Sequence, residues 1–382
     1  MLNTLISFWE LNRIPKRDIG FVLLCLVTAA VLLYMPTGFE GAYEKKGIPV
    51  KALVTEVDNS TIQPMGIIRT GEQGLKIKIL EGKFKGQIVR SVNLFMGKLE
   101  FDKVYAPGDE VFTVLETKGN SIIYANVIDH YRLQYESALM ALFIVILIGY
   151  AGWVGFKALV SFIFTGMLIW KVLLPAFLKG YDPVLFSLAL VAVICFVIIF
   201  LIGGFTQKGV IAFTGSITGI AITGALSLLF GAMFRIHGAI RPFAETLLYS
   251  GYPNLDLSGI FLSGIFISSS GAVMDVAMDV SASMHELVLK NPRISVGEII
   301  VSGFSVGRAV IGTMTTTLLL AYSGGYATLM MMFIAQGTPT LNVLNIQYVS
   351  AEILHTLVGS LGPIIVAPLT AIIGGLVLKR KR

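Results

Sequence analysis

Apolar residues run in long blocks along this chain, interrupted by short polar links and by one long stretch of a different kind. The blocks lie near 19–35, 136–156, 157–178, 184–204, 209–232, 258–287, 297–321 and 350–378. Each holds very few charges over roughly 17 to 25 residues, the length that crosses the hydrocarbon of a bilayer as a helix. The exception, residues 37–134, reads instead as short β-branched runs separated by Gly, Asp and Asn: "VKALVTEV", "GLKIKILEG", "GQIVRSVNL", "GDEVFTVLET" and "SIIYANVID". Five such runs predict a small, partly closed antiparallel barrel of the OB kind. The expected fold is an α-helical polytopic membrane protein of about eight transmembrane helices with a small extracytoplasmic all-β, OB-like insert. Residues 1–36 form a cytoplasmic N-terminus and signal-anchor helix, 37–134 the β-domain, and 135–382 the helical membrane domain with a basic C-terminus.

Composition agrees: 55% of residues are hydrophobic and the mean hydropathy is +0.80, too apolar for a water-soluble globule. Of 52 charged residues, 25 fall between Thr37 and Gln134, 13 basic and 12 acidic. That near-balance leaves no basic groove for nucleic acid. The net charge of +6 arises mainly at the ends of apolar blocks, where Lys and Arg orient helices. With the N-terminus in the cytoplasm, eleven basic residues fall inside: Arg13, Lys16, Arg17, Lys157, Lys208, Lys290, Arg293 and the final "KRKR". Three, Lys179, Arg235 and Arg241, fall in short outside loops. Both termini are therefore expected in the cytoplasm and the β-domain outside the cell membrane. Arg13, Lys16 and Arg17 precede the first apolar block, and "LYMPTGFEGAYEKK" after it offers no small-residue cleavage site, so an uncleaved anchor is expected. Cys25 and Cys195 both lie in apolar blocks and read as packing residues without a disulfide framework.

The sixth block carries the chemistry. Within "ISSSGAVMDVAMDVSASMHELVLKNPR", Asp275, Asp279 and Glu286 stand at i, i+4 and i+11 on one helical face, with Ala282 on the same stripe. Each aspartate near the bilayer centre costs about 2.5–3.5 kcal/mol, so the pair costs about 5–7 kcal/mol and implies a proton, a cation, a basic partner or water. Ser268, Ser269, Ser270 and Gly271 at mid-depth suggest a broken helix, a common device of transporter binding sites. The seventh block places Glu298, Ser302, Ser305, Gly312 and Thr316 near one stripe, with Thr313 on its flank and Arg308 about 80° around the helix. Glu352 and His355 near the outer end of the eighth block are secondary candidates. "GGYATLMMMFIAQG" between these blocks is too short to span and reads as re-entrant. The alternative is an internal salt-bridge network of Asp275, Asp279 and Arg308 that only fixes packing.

Two apparent catalytic signatures fail on context. "HELVL" from His285 lacks the second histidine of a zinc site. "GFSVG" at Gly303–Gly307 lies in an apolar helix, not on the strand-to-helix turn that a nucleophile elbow requires. "GSITGIAITGALS" carries Gly215 and Gly219 at a spacing that serves close helix packing. No metal ligand set and no cofactor fingerprint is found.

"GAVMDVAMDVSASMHEL", "NPRISVGEIIVSGFSVGRAVIGTMTTTLLLAYSGG" and "AEILHTLVGSLGPIIVAPLTA" resemble the YibE/F-like family of bacterial multi-pass membrane proteins over roughly residues 138–379. The insert, with its glycine-flanked "KFK" at Gly82–Gly86 and its "PGDEV", resembles the YibE half. Positions matching the family's core motif are Asp275, Asp279, Glu286, Glu298, Arg308 and Thr313. The chain departs from it in having Ala309 where an acidic residue often follows the Arg, and His285 where Asn is usual. The resemblance implies a membrane protein, with transport of an unknown substrate as the leading activity, and a companion YibF-like membrane protein.

The expected function is a bacterial inner-membrane transporter. Asp275 and Asp279 bind the coupling ion, Glu298, Ser302 and Ser305 line the same cavity, and Arg308 balances charge. A homo-oligomer is compatible with this. The competing expectations are a non-transporting accessory protein whose β-domain docks a partner and, less favoured, an intramembrane hydrolase.

Overall fold

The computed structural model describes residues 16–39 and 47–379, the side chains of Lys16 and Arg17 excepted. The topological charges Arg13, Arg380, Lys381 and Arg382 lie outside the described residues. The chain divides into two compact units, Pro36–Ile146 and the combination of Met1–Met35 with Leu147–Arg382.

The first unit is a curled antiparallel sheet of six strands, β1 (Ile48–Asp58), β2 (Gln63–Met65), β3 (Ile68–Ile79), β4 (Ile88–Met96), β5 (Glu110–Lys118) and β6 (Ser121–His130). Strand order is β2-β3-β1-β5-β6, with β4 on the other edge of β3. Strict alternation sends Val50, Ala52 and Val54 of β1 and Leu75, Ile77 and Ile79 of β3 into one core, while Lys76 and Lys78 face out. Val111 and Leu115 of β5 complete it, opposite Ala52 and Ile48 of β1. The curl brings the outer strands within reach, and Ser91 Oγ of β4 donates to the Ala125 carbonyl of β6 at 2.7 Å. Gly82 and Gly86, both at positive φ, fold "GKFKG" into a turn that drives Phe84 into this core. Fully buried Gln73 acts as an internal clamp: it donates to Asn59 and the Tyr105 carbonyl and accepts from Asn93 and the Tyr105 N–H. Five strands match the alternating runs of the sequence. The three-residue β2, containing Pro64, is additional.

The second unit is helical: α1 (Lys16–Tyr34), α2 (Leu133–Leu168), which begins in the first unit, a π turn at Ile169–Leu173, α3 (Leu174–Leu178), α4 (Pro183–Gly203), α5 (Gln207–Phe234), a 3-10 turn at Gly238–Ile240, α6 (Ala244–Tyr249), α7 (Leu257–Lys290), α8 (Val296–Ser323), a 3-10 turn at Gly324–Tyr326, α9 (Ala327–Ala335), α10 (Thr340–Asn345) and α11 (Gln347–Lys379). Among the described residues, six helical runs are long and apolar enough to cross a membrane: Leu133–Leu178, Pro183–Gly203, Gln207–Phe234, Leu257–Lys290, Val296–Ala335 and Gln347–Lys379. Asp18–Tyr34 is a shorter apolar helix. Two of the expected spans, 136–156 and 157–178, thus belong to one run bent at Gly152, whose φ of 53° and ψ of −126° are open to glycine and forbidden to most residues. The expected re-entrant piece continues from α8 through the 3-10 turn as α9.

Helix ends follow from local chemistry. Asp182, Thr206 and Asp256 accept N–H bonds from residues three positions on, capping α4, α5 and α7. The bundle core is built by small residues of α5 and α11 that let α7 approach. A Cβ added to Gly219 would lie 2.9 Å from Val366, and one added to Gly362 would lie 2.9 Å from Thr223 and Val273. This is how helices associate in lipid, where van der Waals packing replaces the hydrophobic drive. At one end of the unit the buried Lys157 ammonium meets Asp18 at 3.1 Å and the Ile202 carbonyl at 3.5 Å. At the opposite end of α1, Lys171 donates to the Met35 carbonyl at 3.2 Å. The second part of α2 therefore runs parallel to α1.

One expectation is corrected here. The helix α7 runs unbroken through Ser268, Ser269, Ser270 and Gly271, and each serine hydroxyl donates to the carbonyl three residues earlier in its own helix. Hydroxyls satisfied in this way compete with the helix too weakly to break it when neighbouring helices hold it.

Candidate functional site

Five segments converge on one polar cluster inside the apolar bundle. From the loop after the Gly238–Ile240 turn, Arg241 donates through Nη1 to the Tyr326 hydroxyl at 2.5 Å, and its Nη2 lies 3.2 Å from His355 Nδ1. The other ring nitrogen of His355, Nε2, lies 2.9 Å from Ser268 Oγ on α7. A guanidinium cannot accept a hydrogen bond, so Nδ1 is the acceptor and Nε2–H the donor in this arrangement. Ser268 passes its own proton to the Ile265 carbonyl, which leaves its oxygen free to accept from His355.

The walls of the cluster are aromatic. Tyr322 of α8 stacks on His355 with centroids 4.5 Å apart, and Gly359 leaves room for its ring, since a Cβ there would come within 3.2 Å. The Arg241 guanidinium lies over Phe261 at 5.1 Å, a cation–π contact. Behind them stands Glu352, one helical turn from His355 on α11 and 9% exposed. Its Oε2 is 3.8 Å from Arg241 Nη1 and 3.7 Å from His355 Nδ1, beyond hydrogen-bond reach of both, and has no hydrogen-bond partner. Arg241 and His355 face a cavity of about 600 Å³ whose other walls include Phe243, Leu247, Phe261 and Gly264. A cation, an imidazole of fixed tautomer and an unsatisfied carboxylate oxygen thus meet beside an apolar chamber.

A second polar feature starts from the same serine. Along α7, Gly264, Ser268, Gly271, Asp275, Asp279 and Glu286 are all exposed and share one face. Ser268 is seven residues from Asp275, about 10 Å of helical rise. The predicted alignment of the acids is present, and the chain's own helices leave that face uncovered.

The predicted partners on α8 do not join it. Glu298 closes a capping box with Ser295: the Ser295 hydroxyl accepts from the Glu298 N–H at 3.2 Å, and the Glu298 carboxylate accepts from the Ser295 N–H at 2.8 Å. Its carboxylate is thereby occupied with starting a helix. Ser305 and Thr313 donate to the Val301 and Val310 carbonyls of their own helix, and Ser302 is half-buried. Arg308 borders a smaller pocket of about 330 Å³ with Ile364, Ala367 and Pro368 of α11. Among the described residues no ion pair joins Arg308 to Asp275 or Asp279. The glycines of "GFSVG" explain the orientation of α8: Gly303 packs against Ala371 and Met284, and Gly307 against Ala367. Arg308 is therefore turned away from α7.

Of the sequence candidates, the structure brings together Ser268, Glu352 and His355, and on the exposed face Asp275, Asp279 and Glu286. Arg241, Tyr322 and Tyr326 were not anticipated. Arg241 had served only as a topological charge, and nothing local ties it to a histidine 114 residues away. No group of three or more His, Cys, Asp or Glu side chains capable of holding a metal occurs among the described residues.

Comparison with known proteins gives two matches that tile the chain. The pattern described as YibE/F-like protein matches residues 139–380, and that described as YibE/F family N-terminal domain matches residues 50–130. No curated protein and no solved structure matches. The helical portion and the sheet are each matched by their own part of one family's pattern, and the chain belongs to the YibE/F family.

Proposed function

We propose that the protein is a proton-coupled transporter of a small amphipathic anion, lodged in the bacterial inner membrane with both termini in the cytoplasm and the OB-like sheet outside. The observation that carries this reading is the unsatisfied Glu352 carboxylate oxygen beside Arg241 and His355 at the wall of an apolar cavity. A charged side chain buried in a membrane bundle is expensive and marks a pathway far more often than a packing contact. An anionic group entering the cavity competes with Glu352 for the Arg241 guanidinium. Coupling to a proton lets the anion load with no net charge carried into the bundle.

The test is ligand-induced thermal stabilisation of the purified protein across pH, Na⁺, K⁺, divalent cations and small carboxylate or phosphate anions. A native-state binder raises the melting temperature by mass action. An anion that stabilises wild type more strongly at lower pH, and does so no longer in Glu352→Gln, supports the reading. If no anion at any pH shifts wild type, the reading is wrong. Loss of function on removing residues 45–130, with Asp279→Asn still active, would then favour an accessory role for the sheet.

A further inference from the structure

We propose that the exposed acidic face of α7 is covered by a second copy of this chain, which presents the Arg308 face of its α8. The proposal does not depend on transport. Two helix faces of the single chain are small and polar where lipid favours large apolar side chains. On α7 the face is Gly264, Ser268, Gly271, Asp275 and Asp279, and on α8 it is Ser305, Arg308, Ala309, Gly312 and Thr313, every one of them exposed. A Cβ added at Gly264, Gly271 or Gly312 would meet no atom within 4 Å, so both faces are open to a close neighbour. Small residues at helical spacing are how membrane helices approach one another. The charges make the pairing specific. Among the described residues Asp275 and Asp279 have no cation within ion-pair distance, and Arg308 has no carboxylate.

Depth in the membrane completes the match. A Cβ at Gly307 would lie 3.8 Å from Val280, so these two residues are level where α8 crosses α7. Arg308 and Asp279, their immediate neighbours, are then level to within about one residue rise or two, roughly 3 Å. Two copies side by side in one bilayer keep every residue at its own depth. The Arg308 of one copy consequently meets the Asp275–Asp279 pair of the next without tilting either. Pairing α7 with α7 would set acid against acid, and α8 with α8 would set arginine against arginine. The contact therefore joins unlike faces, α7 of one copy to α8 of the other, and it closes either twice over across a two-fold axis or around a ring.

The test uses the full-length protein in lipid nanodiscs, weighed by native mass spectrometry. Wild type should be a closed oligomer. Asp279→Arg and Arg308→Asp should each weaken association roughly tenfold or more, and Asp279→Arg combined with Arg308→Asp in one chain should recover the oligomer. Should a charge reversal fail to fold, cross-linking decides. A copy with Asp279→Cys is co-expressed with a differently tagged copy carrying Arg308→Cys. Oxidation should give a disulfide dimer bearing both tags, while Val193→Cys on the exposed side of α4 replacing either cysteine should give none. The native Cys25 and Cys195 are buried and do not compete. A monomeric wild type, or a cross-linking yield no higher than the Val193→Cys control, overturns the proposal and leaves the faces to lipid or to another protein.

Discussion

The Lys157–Asp18 pair allows the sharpest test of the packing described above. Lys157 is the better buried partner, with a side chain 6% exposed against 19% for Asp18, and among the described residues its ammonium has only Asp18 and the more distant Ile202 carbonyl as partners. At 3.1 Å and an effective dielectric of about 20, the gross attraction is about 5 kcal/mol. Desolvation of both groups cancels much of it, but removing a single partner strands the other charge, which costs about 3–5 kcal/mol. Asp18→Asn keeps an acceptor of the same shape and removes only the charge, so it should cost about 3 kcal/mol. Lys157→Met should cost somewhat less, because the stranded Asp18 is better hydrated. Asp18→Asn with Lys157→Met strands nothing and should return to within about 1 kcal/mol of wild type. For a unit of this size about 3 kcal/mol lowers the melting temperature by about 6–12 °C. Thermal unfolding in detergent is followed by fluorescence of Trp153, one turn before Lys157 and stacked on Phe156 at 5.4 Å. A drop under about 2 °C for Asp18→Asn, or a double variant less stable than either single one, would refute the reasoning.

Three further outcomes can be checked on the full chain. Gly362→Ala puts a methyl 2.9 Å from Thr223 and Val273 and should cost about 1–3 kcal/mol, whereas Gly166→Ala in α2 meets nothing and should stabilise that helix by up to about 1 kcal/mol; melting temperatures in the same detergent compare them. Gln73→Leu leaves Asn59, Asn93 and the Tyr105 N–H without their shared partner and should destabilise the sheet by about 2–4 kcal/mol, read as faster proteolysis of residues 47–130. Burial alone would raise the pKa of Asp129, but hydrogen bonds from Arg132, the His130 N–H and Lys103 outweigh it and hold the carboxyl down at about 2. That value lies below the unfolded one of about 3.9, so its contribution is present above pH 4 and is lost as pH falls towards 2. Pepsin should therefore cut the wild-type sheet progressively faster over that interval, and a pH profile for Asp129→Asn as steep as that of wild type would contradict the assignment.

Much of this architecture is legible without coordinates because a bilayer and a sheet each impose a strict pattern. Every helical block had to be apolar over a fixed length, and β1, β3 and β5 had to alternate to bury Val54, Ile77 and Val111 on one side. What escaped depends on packing between distant segments. The stretch Ser268–Gly271 looks like a break by composition, yet the hydroxyls bond within the helix and α5 and α11 hold it straight. Arg308 and the aspartates share a depth, but only the glycine contacts of α8 decide that they face different ways. Glu298 is a different kind of miss, since Ser295-x-x-Glu298 is a capping-box signature that the sequence displays openly.

The pattern of satisfied and unsatisfied polar groups separates structure from function in this bundle. Most hydroxyls at mid-depth, among them Ser263, Thr223, Ser281 and Ser305, bond to carbonyls of their own helices and ask nothing of a neighbour. Lys157 and Asp18 neutralise each other at a helix end. The remaining charges fall into two sets. Arg241 and Glu352, with His355 between them, are close enough to interact and too far apart to be satisfied, which is the state of a site that exchanges partners. Asp275, Asp279 and Arg308 are level and have no ion-pair partner among the described residues, the state of a surface that awaits one. These sets predict different phenotypes for equally conservative changes. Glu352→Gln should alter ligand response with the oligomer intact, whereas Asp279→Arg should dissolve the oligomer and be rescued by Arg308→Asp. If both changes gave the same phenotype, the division into a site and an interface would fail.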